Sequence, residues 1–134
     1  KSKNLSFSGL KTAVRRIIEK GINKEQKFDL ANEFQIVICE CLINKVELAI
    51  NSLKGRNKIK NFVLTGGVAS NSFIRTKFKL LCKQKGLSFV APEKKLCTDN
   101  ATMIAWAGHE ILNKRKKGSS LSLSPKPRWR LDSL

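Results

Sequence analysis

Residues 62–78, "FVLTGGVASNSFIRTKF", change from a strand pattern to a helix pattern across two adjacent glycines. The apolar run before the glycines predicts a short buried strand. Residues 72–85 have the apolar spacing of a helix that Gly86 ends, and "LSFVAP" at 87–92 predicts a second strand. The helix residues predicted to point partly inward are Phe73, Phe78, Leu80 and Leu81. The order strand, helix, strand favours a parallel sheet.

Three further helices are predicted around this unit. The segment "SFSGLKTAVRRIIEKG", residues 6–21, has an apolar stripe, with Ser8 as its cap and Gly21 at its end. Residues 29–55 are apolar around much of their circumference, which predicts a helix between layers. Residues 98–118 predict a helix capped by Thr98 or Asp99. Its Met103 and Trp106 fit a core stripe, and the lone His109 favours a surface or interhelical position.

Two strands are too few for a complete sheet of this class, because both edges and much of each face would stay uncovered. The chain begins Lys-Ser-Lys-Asn without Met. It has no signal-peptide core and no apolar run near the ~20 residues of a membrane span. We therefore expect an α/β fold, a soluble piece of something longer, with further strands outside this sequence.

The charge is strongly positive. The 134 residues include 27 basic and 10 acidic side chains, a formal net charge of +17. Such a chain attracts polyanions, and RNA is the partner that this predicts. The alternative is that the excess of basic residues, mostly Lys beside many Asn and Ile, is surface charge supplied by A/T-rich coding.

The four cysteines lack CxxC spacing and are predicted to be reduced core thiols. They are Cys39, Cys41, Cys82 and Cys97.

The glycine turn is a candidate ligand site, because the carboxyl ends of parallel strands are where α/β sheets hold ligands. Gly66 and Gly67 lack a Cβ, so the backbone can take positive φ and a nucleotide can approach it. Asn71 adds an acceptor and two donors that could bind a hydroxyl. The alternative is a tight turn with Asn71 as a helix cap.

Asp99 follows the second strand at the start of a helix, so its carboxylate is a candidate cation ligand. Helix capping is the commoner use of an Asp at that place. In the tail, Trp129 between Arg128 and Arg130 could stack on a base, or could hold the C-terminus against the body.

Four motifs, "SFSGLKTAV", "LTGGVASNSFIR", "LCTDNATMIAWAG" and "PRWRLD", occur here in the order and at the separations of one family. Over residues 6–134 the chain resembles the C-terminal part of the TsaD family, the tRNA N6-adenosine threonylcarbamoyltransferases. The resemblance implies an actin-like ATPase fold of two lobes with a cleft between them. Residues 1–118 would form the C-terminal part of one lobe and 119–134 an extended tail.

The implied reaction moves a threonylcarbamoyl group from threonylcarbamoyl-AMP to N6 of the adenosine 3′ of the anticodon. Gly66, Gly67 and Asn71 match the family's nucleotide-contacting motif, and Asp99 matches its metal-binding aspartate. The metal would be one divalent ion, with iron favoured over zinc or magnesium. The family's other protein ligands are a histidine pair in the first lobe, which this chain lacks. We therefore expect the chain to be inactive alone, and no nucleophilic Ser or Cys is implied.

The residues in these motifs are similar to those of the bacterial and mitochondrial branch of the family, although Arg130 stands where that branch has Pro. The implied partners are tRNA, the missing N-terminal half, and either the small proteins of the bacterial pathway or a second copy in mitochondria. The implied location is cytoplasmic, or mitochondrial. The basic residues Arg15, Arg16, Lys20 and 114–117 could guide tRNA phosphates, and solvated surface charge is an equal alternative for each group. The alternatives are a noncatalytic RNA-binding or assembly module, and a lobe of another kinase with this fold.

Overall fold

The computed structural model describes residues 5–53 and 59–115, together with 118, 120, 122, 124, 125 and 127. The helices and strands in chain order are α1 (Ser8–Glu19), α2 (Lys24–Leu53), β1 (Asn61–Val63), α3 (Ser72–Lys85), β2 (Ser88–Val90) and α4 (Ala101–Arg115). Short 3-10 turns lie at Gly67–Ser70 and Lys94–Leu96. The chain divides into two compact units, Lys1–Thr98 and Asp99–Leu134.

The first unit is organised by two parallel strands. Phe62 lies opposite Phe89 in the register, and the flanking pairs are Asn61 with Ser88 and Val63 with Val90. Because side chains alternate across a strand, Phe62 and Phe89 face the same side and are half-buried, while Val63 and Val90 face the other side and are exposed. The predicted parallel pair is confirmed, and the described part of the chain is helix-rich with a two-stranded sheet.

Helix α3 connects the strands and supplies the core. Phe78 is buried and stacks on Phe62, with ring centroids 5.1 Å apart. Ile74, Leu81 and Cys39 complete the buried cluster. The helix ends as predicted at Gly86, which has a left-handed φ of 68° that a glycine adopts without strain. Leu80 is 52% exposed, so its predicted inward position is wrong.

Helix α2 begins earlier than predicted because Asn23 and Gln26 form a capping box. The Gln26 N–H donates to Asn23 Oδ1 at 2.9 Å, and the Asn23 N–H donates to Gln26 Oε1 at 3.0 Å. Cys39 is the one buried residue of α2, although one side of the helix packs against α3. Phe28 and Leu53 are exposed. The expected position between two layers is therefore not found within the described residues.

Helix α1 has the bounds that the sequence indicated, but it buries none of its residues. Ile17 and Ile18 of the predicted stripe are exposed. Phe7 occupies the N-cap position and makes no side-chain cap bond, so the assignment of Ser8 as the cap is wrong. The Ser8 carbonyl instead accepts a bond from the Thr12 hydroxyl at 3.0 Å.

The described part of the second unit is mainly α4. Asn100 caps it, because its Oδ1 accepts a hydrogen bond from the Met103 N–H at 3.0 Å. The predicted caps Thr98 and Asp99 are therefore wrong. Met103 and Trp106 are exposed, so the predicted core stripe is also wrong. His109 is exposed as expected and contacts the Trp106 ring.

Within the part of the chain that the structure describes, every helix is too short or too polar to serve as a membrane span. Arg128, Trp129 and Arg130 lie outside the described residues, as does most of the predicted tail 119–134. All four cysteines are free, and three of them are buried. Cys41 is exposed, which corrects its assignment to the core.

Candidate functional site

The turn between β1 and α3 has the open backbone that the glycines predicted. Gly66 has φ 84° and ψ 175°, a region that is essentially restricted to glycine. Gly67 has no positive φ and begins the 3-10 turn, so only one of the two glycines needs the special conformation. A Cβ at either position would meet no atom within 4 Å. The turn is therefore exposed, with free space above its backbone.

Asn71 caps α3. Its Oδ1 accepts a hydrogen bond from the Ile74 N–H at 3.1 Å. Its Nδ2 donates to Gln35 Oε1 in α2 at 2.8 Å, which ties the cap to the neighbouring helix. An amide has a second N–H and a second oxygen lone pair, so these two bonds leave one donor and one acceptor for a ligand. The capping interpretation is confirmed, and it is compatible with ligand contact.

Arg75 fastens this turn to the segment after β2. Its Nε donates to the Ala69 carbonyl, and its Nη2 donates to the Pro92 carbonyl and contacts Cys97 Sγ at 3.1 Å. Ala69 is fully buried at the centre of the turn. One guanidinium thus holds two loops that follow the carboxyl ends of neighbouring parallel strands. The loops are fixed relative to each other by side-chain bonds as well as by the sheet.

Asp99 begins the second unit and is exposed. Because Asn100 supplies the helix cap, the carboxylate of Asp99 is not used for that purpose. A metal ion needs several ligands. Across residues 5–53, 59–115 and the few described tail positions, no group of three His, Cys, Asp or Glu side chains is arranged to hold one. Asp99 as a metal ligand stays a prediction. That Asp99 and the glycine turn share one cleft stays a prediction.

Two core thiols have surroundings that disfavour the thiolate form. Burial raises the pKa of the Cys39 thiol, an effect that Lys77 partly opposes and Glu40 reinforces. Burial also raises the pKa of Cys82. A thiolate is the reactive form of cysteine, so burial and the raised pKa both favour a packing role for these two side chains.

Sequence reasoning missed Gln35 and Arg75 as parts of this site. Arg75 lies within the quoted motif, but its partners, the carbonyls of Ala69 and Pro92, are set by how the two loops fold and carry no sequence signal. Gln35 carried no such signal, because its bond to Asn71 spans 36 residues of sequence. Of the predicted site residues, the structure brings Gly66, Gly67 and Asn71 together in one turn.

The family model and the individual proteins that match this chain carry the same name. The family model described as "TsaD: tRNA N6-adenosine threonylcarbamoyltransferase" matches residues 1–106. Proteins with the name tRNA N6-adenosine threonylcarbamoyltransferase are similar over almost the whole chain. The one from Wolbachia sp. subsp. Brugia malayi (strain TRS) is 44% identical over 97% of this chain and 38% of its own length. The one from Pelagibacter ubique (strain HTCC1062) is 46% identical over 97% of this chain and 37% of its own length.

A third relative, from Anaplasma phagocytophilum (strain HZ), is 39% identical over 98% of this chain and 39% of its own length. The chain therefore spans about two fifths of the length of the curated relatives that it matches.

Proposed function

The chain belongs to the TsaD family, and on that premise we propose that it forms part of a tRNA N6-adenosine threonylcarbamoyltransferase. The complete enzyme would transfer the threonylcarbamoyl group from threonylcarbamoyl-AMP to N6 of the adenosine 3′ of the anticodon. The observation that carries the proposal is the family match over residues 1–106, which includes both the glycine turn and Asp99.

The proposed reaction is an acyl transfer. N6 of adenosine forms a bond to the carbonyl carbon of the threonylcarbamoyl group, the bond from that carbon to the adenylate oxygen breaks, and AMP leaves. The attacking nitrogen loses one proton. We assign no catalytic residue in this chain, because the roles that its residues support are binding and orientation of the substrate.

The glycine turn is the proposed contact for the adenylate. Its support is the positive φ of Gly66, the free space above Gly66 and Gly67, and the remaining donor and acceptor of Asn71. The first turn of α3 adds backbone N–H groups and a partial positive charge that suit an anion. Arg75 would act through the turn as a positioning residue, because it holds the carbonyl of Ala69.

Asp99 is proposed as one ligand of a divalent metal, with iron favoured over zinc or magnesium. Its support is an exposed carboxylate that is not used as a helix cap. Because no group of three His, Cys, Asp or Glu side chains is arranged to hold a metal among the described residues, the remaining ligands would come from outside them. When bound, such an ion acts as a Lewis acid toward a carbonyl oxygen.

The proposed wider architecture is an actin-like lobe, of which β1, α3 and β2 form a part. Its support is the parallel pair with a helical connection. We propose that the first lobe and the early strands, which lie outside this sequence, cover the exposed side of the sheet at Val63 and Val90. The other proposed partners are tRNA and either small pathway proteins or a second copy. The proposed location is the bacterial cytoplasm, or alternatively mitochondria.

A noncatalytic RNA-binding or assembly module is the second candidate. The net charge of +17 favours it, because such a charge attracts RNA without any catalytic site. The kinase alternative has no comparable support, since the family match is to the transferases.

Reconstitution tests the proposal. The chain is combined with the N-terminal part of a relative, threonylcarbamoyl-AMP, a divalent metal and unmodified tRNA, and the modified nucleoside is measured by mass spectrometry. We expect product from the mixture and none from the chain alone. Asp99→Ala should lower the product at least about tenfold, the loss typical of disturbed metal sites. Asp29→Ala, an exposed carboxylate of α2, is the matched control.

Two results would count against the proposal. Product that is unchanged by Asp99→Ala would remove the metal assignment. Absence of product with every N-terminal part tried, although the mixture binds tRNA, would favour the noncatalytic module.

A further inference from the structure

An open cavity of about 400 Å³ lies in the first unit, lined by α3, β2 and the segment that follows β2. Three of its lining side chains are cations, namely Arg75, Lys79 and Lys94. Ser72 adds a hydroxyl, and Phe89 adds an aromatic wall. The volume is within the range of small-ligand sites.

The positive charge of this cavity is not neutralised by carboxylates. None of the lining residues is acidic. The acceptors that Arg75 engages are the carbonyl oxygens of Ala69 and Pro92 and the sulfur of Cys97, and Lys94 donates to the hydroxyl of Ser72. The ion pairs formed among the described residues involve other side chains. A guanidinium has five N–H donors, so Arg75 retains donors for a ligand.

Helix α3 presents four of the lining residues on one face. Ser72, Arg75, Thr76 and Lys79 have the i, i+3, i+4 and i+7 spacing of neighbours on a helix surface. Phe78 leaves the helix on a different face and enters the core. The cavity is therefore supported from behind by packed side chains, and its shape does not depend on a loop alone.

The combination of cations with an aromatic wall fits a nucleic-acid strand better than a simple anion. Arg and Lys bind phosphate oxygens, and an aromatic side chain offers a surface for a base or ribose. Phe89 is half-buried, so part of its ring is accessible. The basic face of α1 is a weaker candidate, since Arg15 is already paired with Glu19 at 2.7 Å.

We propose that this cavity binds a phosphate group of the RNA substrate, with the adjacent base or ribose against Phe89. The inference rests on the proposed function for the identity of the RNA, and it names the surface on which that RNA lies. It adds a contact beside the glycine turn, with which the cavity shares Arg75. A free mononucleotide has the same phosphate chemistry, so the experiment includes it as a competing source.

The test is binding of a fluorescein-labelled anticodon stem-loop RNA to the full chain, followed by fluorescence anisotropy at several salt concentrations. Lys79→Gln/Lys94→Gln should raise the Kd about tenfold at ~0.1 M salt and lower the salt slope by about 1 to 2. Lys24→Gln/Lys27→Gln removes the same charge from exposed positions of α2 and should change the Kd less than about twofold. Lys79→Arg/Lys94→Arg should retain binding, because the charge stays.

Inorganic phosphate and AMP are titrated in parallel. We expect both to displace the RNA only weakly. In the cavity variant, we expect AMP affinity to fall only if RNA affinity falls as well. Equal weakening by the two Lys→Gln pairs would overturn the proposal, as would an unchanged Kd in the cavity variant. Loss of AMP binding with RNA binding intact would also overturn it and assign the cavity to a mononucleotide. Because the readout is binding, a failure here leaves the transfer assay, and with it the proposed function, unaffected.

Discussion

Helices α3 and α4 are nearly equal in length, 14 and 15 residues, and each begins after an asparagine whose side chain caps it. Their burial differs completely. Helix α3 buries four residues, among them Phe78 at 1% exposure, while α4 buries none and leaves Trp106 65% exposed. Local sequence therefore makes both helices, and only the packing of other elements against α3 makes a core.

The difference has a physical cause in the neighbours of α3. Both Phe62 and Phe89 are half-buried against the core cluster, and Cys39 of α2 is part of that cluster. Burial of apolar area contributes roughly 25 cal/mol per Å². A helix without such neighbours retains its caps and its backbone hydrogen bonds but gains little free energy from apolar burial.

The largest expected effect separates the two helices directly. Phe78→Ala should lower the free energy of unfolding by about 3 to 5 kcal/mol, because it opens a cavity beneath Phe62. Trp106→Ala, an equally drastic truncation on α4, should lower it by less than about 1 kcal/mol. Urea denaturation followed by circular dichroism measures both.

Phe78→Leu provides a milder version, for which we expect a loss below about 1.5 to 2 kcal/mol and a folded protein. If Trp106→Ala were as destabilising as Phe78→Ala, the contrast between the helices would be broken.

An intermediate effect is expected at Arg75. Arg75→Gln should lower the free energy of unfolding by about 2 kcal/mol, because it leaves the carbonyls of Ala69 and Pro92 without their charged donor. Arg115→Gln at the exposed end of α4 is the matched control, with a change within about 0.5 kcal/mol. Hydrogen exchange should also quicken at the Ala69 N–H. Unchanged exchange would mean that the guanidinium does not hold the turn.

The smallest effect concerns the thiols of the α3 core. Burial raises the pKa of Cys39 and Cys82 above the ordinary value of 9.0. Above that pH the unfolded chain releases thiol protons that the folded chain retains. The contribution to stability is therefore complete below about pH 9 and is lost as pH rises through the folded pKa.

Denaturation midpoints from about pH 7 to 10 measure the thiol effect. Cys39→Ala/Cys82→Ala should flatten the decline in this range, and Cys41→Ala, at an exposed site, should leave it unchanged. A decline of the same size in both variants would show that other groups cause it.

Local signals predicted most of the fold. The apolar run before the glycines, the helical spacing after Asn71 and the glycine at position 86 each act within a few residues, and each predicted its element correctly. The expected burial of the first strand was wrong, because Val63 is 59% exposed. The Asn23–Gln26 capping box was also visible in the sequence and was overlooked. Burial was not predictable for Trp106, because a periodic pattern shows which face is apolar and not whether another element covers it.

The candidate site likewise has parts that the sequence could predict and parts that it could not. The turn at Gly66 was predictable because the constraint is a single backbone conformation. The bond from Arg75 to Pro92 was not, because it depends on where the loop after β2 lies once the sheet has formed. Ligand contacts of Asn71 and Asp99 stay predictions that come from the family resemblance.

The short sheet has a consequence for handling the protein. Val63 and Val90 form an apolar pair on its open side, and within the described residues each strand pairs on one side only. Unpaired strand edges invite other copies to add to them. The net charge of +17 opposes that encounter at low ionic strength. The screening length falls from about 10 Å at 0.1 M salt to about 3 Å at 1 M, so concentrated salt should favour self-association of this chain.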